Sequence, residues 1–148
     1  MLLFDVNVLI YSHRVDAADH PRYRAWLEGV VNSDAAYAIS ELALSAFLRI
    51  VTNGRVFRRP SSLAEGLAFA DALRGQPNCV SVSPGPRHWG IFTRLCREAE
   101  VKGDLVPDAY YAALAIESGS EWITTDRDYS RFPGLRWRHP LVAPGSAN

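Results

Sequence analysis

Short apolar runs of strand character alternate with segments whose apolar residues recur at helical spacing, and this alternation extends along nearly the whole chain. Leu2-Leu3-Phe4 reads as a buried strand that ends on Asp5, followed by helical pieces over 8–11 and 20–31, the second with Tyr23, Trp26, Leu27 and Val30 on one face. A strand follows at 35–39. Leu42, Ala43, Ala46, Phe47, Ile50 and Val51 then form a helical stripe, with Ser40 placed to cap it and Gly54 to stop it. Ser62 with Glu65 makes a capping box ahead of Leu63, Leu67, Ala70 and Leu73, and Gly75 marks the end of that helix. Residues 79–83 are β-like, while Trp89, Phe92, Leu95, Cys96 and Ala99 mark a helix. Residues 102–106 read as a loop, 108–117 as an Ala-rich helix closed by Gly119, and 122–125 as a strand that runs into Asp126.

Such alternation predicts an α/β protein, an α/β/α sandwich with a mostly parallel central sheet. The 148 residues, 48% of them hydrophobic, suit a single domain over 1–148, with the Pro- and Gly-punctuated tail loosely ordered from about 140. The longest apolar stretch, 109–116, is far short of the ~20 residues of a membrane span, and no basic-then-apolar leader opens the chain, so a soluble cytoplasmic protein without membrane contact is expected. Sixteen basic residues balance sixteen acidic ones, so any nucleic-acid contact must be local. Cys79 and Cys96 lack zinc-ligand spacing and read as buried thiols, and His13, His20, His88 and His139 show no ligand pattern.

Four acids stand at element ends: Asp5 after the first strand, Glu41 and Asp108 where helices open, and Asp126 after the last strand. Singly, each has an ordinary reading: Asp5 as a helix cap, Glu41 as an acid favoured by the helix dipole, Asp126 as a turn residue. Asp108 shares a face with Ala112 and Ala115, which turns it toward the sheet. Ligand crevices of open α/β sheets lie at the carboxyl ends of the strands, and there the four acids would meet. Two carboxylates ~4 Å apart repel by about 4 kcal/mol at an effective dielectric of 20, so such a cluster calls for a counter-charge. All-oxygen ligands favour Mg²⁺ or Mn²⁺ over zinc.

The chain resembles the PIN-domain nucleases, and within them the VapC-like toxins of bacterial toxin–antitoxin pairs. The resemblance rests on residues 3–9 (LFDVNVL), Ser40-Glu41-Leu42, residues 107–115 (PDAYYAALA) and residues 124–129 (TTDRDY). It implies a PIN-like fold and metal-dependent endoribonuclease activity, with Asp5, Glu41, Asp108 and Asp126 as catalytic acids and Asp5, Asp108 and Asp126 holding Mg²⁺, or alternatively Mn²⁺. Asn7 and Thr125 would support the site. It further implies an RNA substrate, a VapB-like antitoxin and a homodimer. Many family members carry Ser or Thr directly after the first Asp, where this chain has Val6.

Arg58, Arg59 and Arg127 are candidate RNA contacts, with Arg55 nearby and Arg131, Arg136 and Arg138 around Trp137, an aromatic suited to stacking on a base. Tyr11, Trp26, Phe47, Leu48 and Phe57 could line a partner groove. Two other readings stay open here. A haloacid-dehalogenase-type phosphatase has a similar opening, but it needs an acid where Asn7 stands and a lysine at a strand end, and Lys102 is the only lysine. A non-catalytic PIN-like module would bind RNA or protein without cutting.

Overall fold

The computed structural model describes residues 1–143. Five parallel strands, β1 (Leu2–Phe4), β2 (Tyr37–Ile39), β3 (Cys79–Ser81), β4 (Glu121–Ile123) and β5 (Trp137–Arg138), lie in the order β3-β2-β1-β4-β5. Six helices cover them: α1 (Val6–His13), α2 (His20–Val31), α3 (Glu41–Val51), α4 (Leu63–Arg74), α5 (His88–Glu98) and α6 (Leu105–Ser118). This is the expected α/β/α sandwich. No helix among the described residues is long and apolar enough to cross a membrane.

Side chains alternate between the faces of a strand, and here both faces are buried, which is why the strands read as continuous apolar runs. Phe4, Tyr37, Ile39 and Ile123 point into one core with α1 to α4, while Leu3, Ala38 and Trp122 point into a second core with α5 and α6. On α6 the wholly buried Ala109, Ala112, Ala113 and Ala115 let the helix lie close on the sheet. The strand order reverses at β1, since β2 and β3 extend to one side and β4 to the other. The crevice at such a switch point is where open α/β sheets bind ligands, and Asp5 and Asp126 follow the two strands that frame it.

Several boundaries differ from the sequence reading for local reasons. The stretch 102–106 is not all loop: α6 begins at Leu105, and Pro107 sits in its first turn, where a missing N–H breaks no helical bond. Ser40 occupies the N-cap position of α3, but its hydroxyl makes no capping bond. α3 ends at Val51, before Gly54, whereas Gly119 closes α6 in the left-handed conformation at φ 66°. β5, only two residues long, has too little pattern to be read. The tail described to Ala143 is anchored, with Pro140 buried and the Tyr23 hydroxyl 3.3 Å from His139 Nε2. The remainder of the tail, residues 144–148, lies outside the described residues. Cys79 and Cys96 are free thiols, each half-buried at a core margin.

The capping box is present as read: Glu65 N–H donates to Ser62 Oγ at 3.1 Å, and Ser62 N–H donates to Glu65 Oε2 at 3.0 Å. Ser62→Ala removes one half of it on an exposed turn and is expected to cost about 1 kcal/mol in a urea melt with an unchanged slope.

Candidate active site

Asp5 leaves β1 in extended conformation and caps α1, its Oδ1 accepting from Val6 N–H at 2.7 Å. Its Oδ2 accepts from the Thr124 hydroxyl at 2.5 Å and from Asn7 Nδ2 at 3.0 Å. The carboxylate is 7% exposed, with three donors and no Lys or Arg among its hydrogen-bond partners. Thr124, fully buried just beyond β4, also accepts from Asp126 N–H at 3.0 Å, so one hydroxyl links the acids that follow the two central strands. Asn7 closes the network by accepting from Thr125 N–H through Oδ1 at 3.3 Å while donating to Asp5 and to Thr124 Oγ1. Asp126 Oδ1 caps the 3-10 turn Arg127–Arg131 through Asp128 N–H at 2.8 Å. From the α6 side, Asp108 Oδ1 accepts from the Tyr129 hydroxyl at 3.3 Å.

Burial pushes Asp5 from its ordinary 3.8 up to about 7; its hydrogen bonds to Thr124 and Val6 oppose the rise, while the charges of Asp108 and Asp126 add to it. Asp108 is raised too, first by burial and then by Asp126. Three of the four acids read from the sequence therefore feel one another across the crevice. Glu41 stands at the same sheet edge, two residues beyond β2, but its exposed carboxylate is turned to Arg74 at 2.7 Å. Among the described residues no three Asp, Glu, His or Cys side chains close into a ready-made ligand cage.

Two assignments shift. Thr125 supports the site only through its backbone N–H, and the hydroxyl that holds Asp5 belongs to Thr124. Val6, which stands where many family members carry Ser or Thr, contributes its backbone N–H to Asp5. Trp137 is half-buried against the second core, in register with Trp122. Arg131, Arg136 and Arg138 are engaged by Asp128, the Gly119 carbonyl and Glu121, whereas Arg58, Arg59 and Arg127 are exposed. Of the presumed groove residues, Phe47 is core and Trp26 lines a separate hollow, while Tyr11 and Phe57 share one cleft. The phosphatase reading fails on Asn7, whose amide is committed as a donor to Asp5 and has no acid–base capacity.

Residues 2–135 match the PIN domain family. The chain belongs to the PIN-domain family. Ribonuclease VapC43 of Mycobacterium tuberculosis is 42% identical over 141 residues, covering 95% of this chain and 96% of the relative. Ribonuclease VapC25 of the same organism is 40% identical over 142 residues, covering 96% and 100%. Among solved structures, VapBC2 of Rickettsia felis, bound to a promoter DNA fragment, superposes with a TM-score of 0.67 at 17% identity, covering 93% of this chain and 97% of that one. The M. tuberculosis toxin VapC20 gives 0.64 at 16%, covering 92% and 99%. This PIN domain thus shares its fold with the distant structures and nearly its whole length with the VapC ribonucleases.

The sign of the Asp5 shift fixes a pH dependence. An acid whose pKa is higher folded than unfolded contributes stability that is complete below about 4 and is lost as pH rises through about 7. Asp108→Asn removes a like charge and the variant's own raised acid. In EDTA, the fall in melting temperature between pH 5.5 and pH 8 is therefore expected to be smaller in Asp108→Asn than in wild type, and an equal fall would contradict this electrostatic account.

Proposed function

We propose that this PIN domain is the toxin ribonuclease of a toxin–antitoxin pair, a divalent-metal-dependent endoribonuclease acting at the crevice of Asp5, Asp108 and Asp126. One observation carries the reading: a buried carboxylate at the switch point, held by three donors, faces two further acids and has no Lys or Arg hydrogen-bond partner among the described residues. Burial first, and then the charges of Asp108 and Asp126, raise its pKa, and an all-oxygen donor set fits Mg²⁺ or Mn²⁺. The ion would supply the Lewis acidity that phosphodiester hydrolysis draws on. Asp5, Asp108 and Asp126 are the residues to hold it. Thr124 and Asn7 fix the Asp5 carboxylate in one orientation, and Tyr129 steadies Asp108. Glu41 is the fourth acid of this reading and joins the others by leaving Arg74. Exposed Arg58, Arg59 and Arg127 supply local positive charge for the RNA backbone on a chain of zero net charge.

The names of the relatives, ribonucleases at about 40% identity, support cleavage of RNA. Structural neighbours that are VapBC assemblies support a VapB-like antitoxin, and a homodimer belongs to the same reading.

Purified protein incubated with a mixed RNA pool is expected to yield discrete internal cleavage with Mg²⁺ or Mn²⁺, none with EDTA and none with Asp108→Asn. Fragments that persist in EDTA would sink the metal-dependent mechanism; RNA that is bound but left intact under every condition would favour a non-catalytic module. Thr124→Val, which removes the hydroxyl shared by Asp5 and Asp126, is expected to lower cleavage by about 10- to 100-fold while leaving the far-ultraviolet circular dichroism spectrum unchanged.

A further inference from the structure

We propose that the cleft formed by Tyr11, Tyr23 and Phe57 beside Thr125 is a subsite for an unpaired nucleobase next to the cleaved phosphate; the inference rests on the ribonuclease reading above. The cleft lies beside the acidic crevice, since Thr125 lines it and sits in the chain between Thr124 and Asp126. Tyr11 projects from the helix that Asp5 caps. At about 550 Å³ the space falls within the range of small-ligand sites.

The chemistry of the lining selects what fits. Three aromatic rings and the carboxylates of Asp16 and Asp19 face the cleft, with no Arg or Lys among them. Asp16 is paired with Arg14 and Asp19 lies 3.8 Å from Arg22, so the carboxylates add little net charge, while the rings offer a π face for a base. The exposed Arg58 follows Phe57 directly, and the exposed Arg127 comes two residues after Thr125, so basic residues neighbour the cleft in sequence without entering it.

The aromatic wall is also held in place in advance. Phe57 sits on the loop between α3 and α4, and the Arg14 guanidinium lies 4.1 Å from its ring centre. Arg14, 8% exposed, donates to both Asp16 oxygens at 2.9 and 2.7 Å, to Ser61 Oγ at 3.1 Å and to the Arg59 carbonyl at 2.9 Å. Burying an arginine is costly, and here the clamp fixes a half-exposed phenylalanine on a loop outside either core. Tyr11 and Tyr23 are fixed too, their ring centres 5.2 Å apart and the Tyr23 hydroxyl on His139. Rigid aromatic walls lose little entropy when a base docks.

The test begins with the cut site mapped on wild-type protein with Mg²⁺. Oligonucleotides spanning it are then made with a single abasic ribose at each flanking position and cleaved by unmodified protein, so the result does not depend on any variant folding. One flanking position is expected to show a rise in KM of about tenfold or more, the others little. Phe57→Leu and Tyr11→Leu are expected to raise KM on intact RNA by a similar factor, acting on KM rather than kcat, and to show no further loss on the sensitive abasic RNA. Abasic substitutions that are harmless everywhere overturn the proposal. So do variants that retain the full abasic penalty, which would place the base elsewhere and leave the cleft to a protein partner. If wild type cleaves no RNA and Asp108→Asn binds none, the ribonuclease reading itself falls, and the subsite with it.

Discussion

Burying the Asp5 carboxylate at the end of the central strand sets a problem that much of the surrounding structure answers. A charge withdrawn from water needs hydrogen-bond donors, and the three available come from two parts of the chain: Val6 and Asn7 at the start of α1, and Thr124 beyond β4. The bond to Val6 starts the helix, and the bond to Thr124 complements the pairing of β1 with β4. These donors do not neutralise the charge. The acid is oriented but not compensated, a combination suited to holding a cation and poorly suited to stability alone.

The two cores explain why a chain of this length can carry such a cost. Each strand presents apolar side chains to both faces, so the short β1, β2 and β4 form the middle of the protein, and the polar work is confined to one end of them. At that end each residue acts beyond its own position. Thr124 connects two acids through one oxygen, and Tyr129 is both a wall of the second core and the donor to Asp108. Arg14 does for the loop after α3 what Thr124 does for the crevice, satisfying several groups from a buried position.

The sequence made the architecture and three members of the acidic site legible because the signals are local. An apolar run that stops on an acid marks a strand end, and Ser62 with Glu65, or Gly119 after an Ala-rich helix, marks a helix boundary by chemistry that acts within a turn. What pattern could not give was set at a distance. The choice between Thr124 and Thr125 depends on how the chain leaves β4, and it is the Thr124 hydroxyl that reaches Asp5, 119 positions away. The partner of Glu41 lies 33 positions off on another helix. Trp137 among arginines resembled a binding surface, but it pairs with the already buried β4, a register invisible in a two-residue strand. Phe57 read as a groove residue, but the Arg14 that holds it lies 43 positions back, beyond the reach of local pattern.

The pairing of β1 with β4 also has a meaning in time. Chains emerge from the amino terminus, and Asp5, Glu41 and Asp108 are all made before the residue whose hydroxyl orients the first of them. A nascent chain therefore carries most of its acids as unassembled parts. Only when β4 slots beside β1 and Thr124 arrives are these parts brought together. Because the strand before Asp5 pairs with one made far later in the chain, the hydroxyl that orients Asp5 arrives 119 positions after the acid it holds.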